Sequence, residues 1–391
     1  MPKTGNPASL YSQERLEDIS LYFHIPFCLR KCPYCHFFVL PDHERFKAPF
    51  LSALHKEWDL RKAQLQGKRI VSIYFGGGTP TKLSPLALHA LLDTIAKEAS
   101  LCSDCEITLE ANPEDVSEEK MRSYAACGIN RISLGVQSLI DAELGVLGRQ
   151  HTAQDAIQAV HSCYQSGLRN ISIDLMYELP SQTLNSWLGT IAKLHELPIT
   201  HLSLYNLTFE PNTIFFKKSA YLKPSLPTEE ESLAMLNSAT VQLENIGLKR
   251  YEISAFARIG CHSRHNTGYW LGRPFLGFGP SAFSYWDKKR FSNHSHFQHY
   301  VQAVAKGDFP VDFEECLSYP KNVQELLAVQ LRLIEGVDLD AFQEKQGRLP
   351  QETLYALEAL CKRNWLCKTR SWQLTQEGLL FYDSIASALI S

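Results

Sequence analysis

The chain has 391 residues, enough for one large barrel with a smaller domain beside it. A formal net charge of −3 provides no global basic field for nucleic acid, and eleven irregularly spaced cysteines do not form a secreted disulfide framework. No uninterrupted apolar run approaches the ~18 residues of a membrane span. The first twenty residues lack the apolar stretch of a secretory leader, so a cytoplasmic, reducing setting is expected.

In chain order, six short alternating segments read as strands: 21–26, 70–75, 106–110, 131–136, 170–175 and 201–207. Helical periodicity fills 45–66, 85–99, 117–127, 142–147, 153–166 and 184–197. Strand alternating with helix implies parallel βα units joined by right-handed crossovers. One strand face carries Tyr22 and His24, Ser72 and Tyr74, Thr108 and Glu110, Ser133 and Gln137, Ser172 and Asp174, and His201 and Ser203. The other face is mostly Leu, Ile, Val and Phe. An open sheet covered by helices on both sides would be apolar on both faces. The polar face therefore predicts the lumen of an incomplete, six-unit barrel around a large ligand. Glu110, Gln137 and Asp174 fall at the C-terminal strand ends, where such barrels hold their working groups.

After about residue 225 the pattern changes. A helical run at 228–246 leads to 250–255 and a glycine- and aromatic-rich stretch through 286. From 318 onward an α-rich module has helices at 322–334 and 350–363, a two-stranded wing at 365–374 and a closing helix. The expected fold is α/β, a partial (β/α)6 barrel with a C-terminal winged-helix-like domain. Its expected divisions are 1–225, 226–317 and 318–391. Basic residues in the last module are scattered rather than gathered on a recognition helix, so nucleic acid is not an expected partner.

The chemistry begins at Cys28-Leu-Arg-Lys-Cys32-Pro-Tyr-Cys35. Three thiolates are one short of a closed tetrahedral zinc or of a fully cysteine-bound [4Fe–4S] cluster. His24 and His36 are near enough in sequence to close a zinc site, so a structural staple and an open iron are both readings of the spacing. One strand later, Gly76-Gly77-Gly78-Thr79-Pro80 lets the backbone turn sharply and approach a ligand, but it is neither a Walker loop nor GxGxxG. Cys102-x2-Cys105, Cys361 and Cys367 read as incidental thiols. Cys261-His262 lacks the CxxCH form of haem attachment.

Tyr22-Phe-His24-Ile-Pro-Phe-Cys28-x3-Cys32-x2-Cys35 followed by Gly-Gly-Gly-Thr-Pro resembles the radical S-adenosylmethionine (SAM) family, in its coproporphyrinogen dehydrogenase-like branch. The resemblance continues through Thr108-Leu-Glu110-Ala-Asn-Pro113, Ser133-Leu-Gly-Val-Gln137-Ser, Leu147-Gly-Arg149-x-His151 and Ile173-Asp174-Leu-Met-Tyr. It implies a [4Fe–4S] cluster on Cys28, Cys32 and Cys35, with one iron left for SAM and access to a 5′-deoxyadenosyl radical. It also implies SAM contacts from Tyr22, Gly77, Gly78, Thr79, Glu110, Gln137, Arg149 and Asp174. No residue is assigned as a catalytic acid, base or nucleophile.

Two features choose within the branch. Its dehydrogenases carry a further cysteine two residues after the third cluster ligand, where Phe37 stands here. His265-Asn266-Thr-Gly-Tyr269-Trp270 matches the HNxxYW signature of the haem chaperone subgroup. That match implies haem contacts from Asn266, Tyr269 and Trp270, with His265 as axial ligand. The implied function is delivery of haem to an acceptor, such as a membrane respiratory or bacterioferritin-like protein, by a chain able to form a homodimer. The alternatives are an oxygen-independent coproporphyrinogen III oxidase and a structural zinc protein. Three positions depart from the subgroup: His36 replaces its usual Asp, and Glu178 and Ser181 replace glycines.

Overall fold

In the computed structural model, residues 15 and 17–390 are described, so most of the stretch read for a leader lies outside the described residues. The alternating segments form β1 (Asp18–Ile25), β2 (Arg69–Gly77), β3 (Leu101–Ala111), β4 (Arg131–Gln137), β5 (Asn170–Tyr177) and β6 (His201–Asn206). They pair in parallel and in sequence order. Between and after them lie α1 (Glu44–Arg61), α2 (Pro85–Glu98), α3 (Glu118–Ala126), α4 (Ala153–Gln165), α5 (Leu184–Lys193) and α6 (Glu229–Asn245). Local chemistry starts these helices. The hydroxyls of Ser84, Ser117, Thr152, Thr183 and Thr228 each accept a hydrogen bond from the backbone three residues on, worth about 1 kcal/mol apiece.

The strand register gathers the polar face into one lumen. Tyr22 lies opposite Tyr74, and Tyr74 opposite Thr108. Glu110 pairs with Ser133, Ser133 with Ser172, and Asp174 with both Gly135 and Ser203. On the other face Leu21, Phe23, Ile73, Phe75, Leu109, Ile132, Ile173 and Leu202 are buried in the main core.

The sheet is wider than six strands. Its full order is β12-β11-β10-β9-β1-β2-β3-β4-β5-β6-β8-β7, with β7 (Lys249–Glu252), β8 (Ala255–Ala257), β9 (Phe275–Phe278), β10 (Phe283–Trp286), β11 (Lys289–Asn293) and β12 (Val311–Cys316). β9 adds in parallel to the free edge of β1, Ser20 opposite Phe275, and the remaining added pairs are antiparallel. The glycine- and aromatic-rich stretch therefore completes the barrel edge. Between β8 and β9 lies the short helix α7 (Arg264–Trp270), and after β11 comes α8 (Phe297–Lys306).

A buried network locks that edge to α1. The Glu57 carboxylate accepts hydrogen bonds from Arg61 Nε (3.0 Å), Asn293 Nδ2 (2.7 Å), the Gly279 amide (2.8 Å) and the Tyr300 hydroxyl (2.8 Å). Arg61 also donates to Asn293 Oδ1 at 3.1 Å. A second apolar core joins α9 (Lys321–Gln330), α10 (Gln351–Lys362), the wing β13 (Leu366–Lys368) and β14 (Trp372–Leu374), and α11 (Tyr382–Ile390). Among the described residues no helix is long and apolar enough to cross a membrane.

Candidate functional site

The cysteine loop leaves β1 as a turn closed at its base. Phe27–Cys28 pairs with Leu40–Pro41, and the Asp42 amide donates to the Cys28 carbonyl at 3.0 Å. All three cysteines are free thiols with partial exposure. Burial pushes the Cys28 thiol up to about 11 and raises Cys35 as well, so metal binding here must release protons. Cys28 Sγ lies 3.5 Å from Thr79 Oγ1, which accepts a hydrogen bond from Asn112 Nδ2 at 3.1 Å. Arg149 reaches the same place from beyond β4. Its Nη1 is 3.6 Å from Cys32 Sγ, and its Nη2 donates to Asn112 Oδ1 and the Gly135 carbonyl, each at 2.7 Å.

The glycines after β2 are required first by the protein's own packing. Gly77 has φ +106°, and a Cβ there would stand 2.5 Å from the His24 ring. A Cβ on Gly78 would stand 2.8 Å from the Pro26 carbonyl carbon. The expected approach of backbone to ligand thus depends on a tighter one, of backbone to backbone. The Gly78 and Thr79 amides donate to the carbonyls of Ile25 (2.9 Å) and Phe27 (2.8 Å) and stitch this turn to the cysteine loop.

Deeper in the lumen, Glu110 accepts hydrogen bonds from the Tyr74 hydroxyl (2.8 Å) and the Gly77 amide (3.2 Å). Desolvation, opposed by those bonds and reinforced by the Asp174 charge, pushes Glu110 up to about 7. Burial also raises Asp174, which accepts a hydrogen bond from Ser133 Oγ at 3.4 Å. Around these carboxyls Thr108 Oγ1, Gln137 Oε1 and Arg149 Nε are buried without a hydrogen-bond partner. Native interiors rarely leave such atoms unpaired. Their convergence fits a polar ligand bearing both donors and acceptors, as SAM does.

An aromatic cavity of about 550 Å³ lies against the cysteine loop. Tyr22 and His24 form part of its wall, with His36 and Phe37 from the cysteine loop, Tyr269 and Trp270 from α7, and Phe283 from β10. Of the residues expected to touch SAM, Tyr22 is the one that faces this second space, with its ring stacked 6.2 Å from that of Tyr74.

His265 lies buried in α7. It is 1% exposed, with Nδ1 3.0 Å from Ser72 Oγ and Nε2 2.7 Å from the Tyr269 hydroxyl. Both ring nitrogens are engaged within the protein, so an axial role for His265 would require one of these hydrogen bonds to be given up. Asn266 takes part in capping through its backbone N–H, which donates to Ser263 Oγ at 3.2 Å. The Glu106 carboxylate accepts from the amides of Arg264 and His265, both at 2.9 Å, and pins the start of α7 to β3.

Sequence reasoning assigned no role to Asn112 or Glu106. Asn112 was visible inside Thr-Leu-Glu-Ala-Asn-Pro, but the role of Glu106 depends on a helix far away in the chain. Glu178 and Ser181, where the resemblance led to an expectation of glycine, both adopt left-handed backbone, with φ +62° and +63°. Non-glycine residues in this conformation carry backbone strain in the turn after β5.

Residues 22–194 match the Radical SAM superfamily, and residues 317–381 match the HemN C-terminal domain. The heme chaperone HemW of Haemophilus influenzae is 33% identical to this chain, covering 96% of it and 99% of the relative. HemW of Bacillus subtilis is 35% identical, covering 95% and 99%. The structure of Escherichia coli coproporphyrinogen III oxidase (HemN), a radical SAM enzyme, aligns with a TM-score of 0.84 over 96% of this chain and 90% of that one. At 23% identity that likeness establishes the fold alone. These matches define a radical SAM protein with a HemN-type C-terminal domain. Within that superfamily the chain belongs to the family of the heme chaperone HemW.

Proposed function

We propose that this chain is a haem chaperone that carries one [4Fe–4S] cluster on Cys28, Cys32 and Cys35, binds SAM in the lumen and passes haem to an acceptor protein. The observation that carries this reading is a shared wall. His24 lines the aromatic cavity, while Gly77 packs against the same imidazole from the lumen side. A polar, carboxylate-bearing chamber and an apolar, flat-walled one thus meet at the cysteine loop.

The residues present suit both small molecules. Arg149 places a cation beside Cys32, where the SAM carboxylate can meet it, and Glu110 and Asp174 can accept hydrogen bonds from ribose hydroxyls. When bound, the cluster would supply the electron for SAM chemistry, its potential set by burial and by hydrogen bonds to sulfur. Thr79, Arg149 and Tyr34 have side chains in reach of sulfur for that purpose.

The zinc alternative is less well supported. His24, one of its two possible closing ligands, has Nδ1 3.1 Å from the Tyr22 hydroxyl and Nε2 2.9 Å from the Phe38 carbonyl.

Anaerobic reconstitution followed by separate titrations with haem and with SAM tests the proposal. Expected are a brown protein with a cluster absorption, a haem spectrum, and transfer of haem to an apo-acceptor. Conversion of coproporphyrinogen to protoporphyrinogen would identify an oxidase instead, and a colourless, zinc-loaded protein would defeat both readings.

A further inference from the structure

Among the described residues three histidines lie in or just beneath the aromatic cavity, and their surroundings differ. His24 and His265 each have both ring nitrogens engaged by protein groups. The two nearby phenols are engaged with them: Tyr22 with His24, and Tyr269 with His265. His36 is exposed, lines the cavity and packs its ring 4.6 Å from that of Phe37. Among the described residues no hydrogen bond occupies its nitrogens.

The walls suit a flat apolar ligand. The Trp270 ring is held by the Arg332 guanidinium 4.4 Å away, and Phe275 packs edge-on against Tyr269 at 4.5 Å. Val329 of α9 closes the far side. Phe37 and Phe283, which also line the cavity, are 51% and 57% exposed. Large exposed rings grouped around one concavity mark a binding surface better than scattered apolar residues do. The volume lies within the range of about 300–1,000 Å³ typical of small-ligand sites.

We infer that haem binds flat in this cavity with a nitrogen of the His36 imidazole as axial ligand to its iron. This rests on the haem-chaperone reading and adds the ligand and the walls. The neutral imidazole donates its lone pair to the iron and displaces a solvent ligand, and no group changes oxidation state. The arrangement places the cargo one residue from Cys35, so haem and cluster share a loop.

The test uses the full-length, anaerobically reconstituted protein. Wild type, His36→Ala, His36→Asp, Phe283→Ala and the surface control His296→Ala are titrated with haem, and cluster iron and sulfide are counted in each. His36→Asp keeps a polar side chain of modest size but has no imidazole.

Both His36 variants are expected to lose the histidine-ligated Soret spectrum and to bind haem at least about tenfold more weakly at unchanged cluster content. Added imidazole should restore the spectrum in His36→Ala. Phe283→Ala, far in sequence from the cysteines, should keep the ligation spectrum while losing about five- to tenfold in affinity. His296→Ala should match wild type. If wild type binds haem and both His36 variants keep its spectrum and affinity, the inference fails while the chaperone reading survives. If wild type binds no haem, both fail. Should the His36 variants also lose the cluster, unchanged affinity in Phe283→Ala overturns the site.

Discussion

Glu110 shows how strongly a single position can report on the lumen. Its folded-state pKa of about 7 lies above its ordinary 4.5, so between those values the folded chain retains a proton that the unfolded chain has lost. The folded state loses relative stability as pH rises through that window and levels off above it. Asp174, also raised by burial, acts in the same direction. In cluster-free protein, Glu110→Gln should flatten the decline in urea midpoint between about pH 4.5 and 7 and exceed wild type above it. Parallel pH profiles would refute the assignment. Ser181 tests strain at the same scale. Its left-handed φ costs about 1–2 kcal/mol, partly offset by the greater unfolded-state entropy of glycine, so Ser181→Gly should stabilise by about 0.5–1 kcal/mol in denaturant unfolding.

Among elements, the contact between α1 and the added barrel edge is the most demanding. Glu57 and Arg61 are buried at 0% and 1% exposure, and the carboxylate has four donors. Glu57→Ala should cost about 3–5 kcal/mol, because it leaves Arg61 buried without its counter-charge. A melting shift no larger than that of an exposed control such as Glu44→Ala would show the network to be dispensable. The helices around the barrel were legible in the chain, since capping residues and 3.6-residue periodicity are local signals. β9 to β12 were not. They are short, aromatic and glycine-broken, and their partners are set by register with β1.

At the scale of the whole molecule, Arg332 connects the C-terminal core to the aromatic cavity. Its guanidinium lies over Trp270 at 4.4 Å and over Tyr382 at 5.1 Å, and it stands 3.7 Å from the Glu252 carboxylate, which burial raises. Arg332→Ala should lower stability by about 2–4 kcal/mol and weaken haem binding, by freeing the Trp270 wall and leaving Glu252 less well compensated. Calorimetry paired with a haem titration checks both effects. Unchanged haem affinity in a destabilised variant would confine Arg332 to folding.

The cysteine spacing, the glycine turn and the six-strand polar face could be read from the chain by itself, because each is a short-range pattern with its own period. They were enough to place three thiols at the mouth of a lumen and carboxylates within it. The sequence alone could not say which histidine is free. His265 sits in the recognisable motif, yet Ser72 and Tyr269 occupy its nitrogens. His36 read only as a departure, yet it faces an aromatic cavity built from β1, the cysteine loop, α7, β9, β10 and α9. Whether an imidazole is available to a ligand depends on which distant groups reach it first, and strand register and helix docking decide that only when the chain is folded.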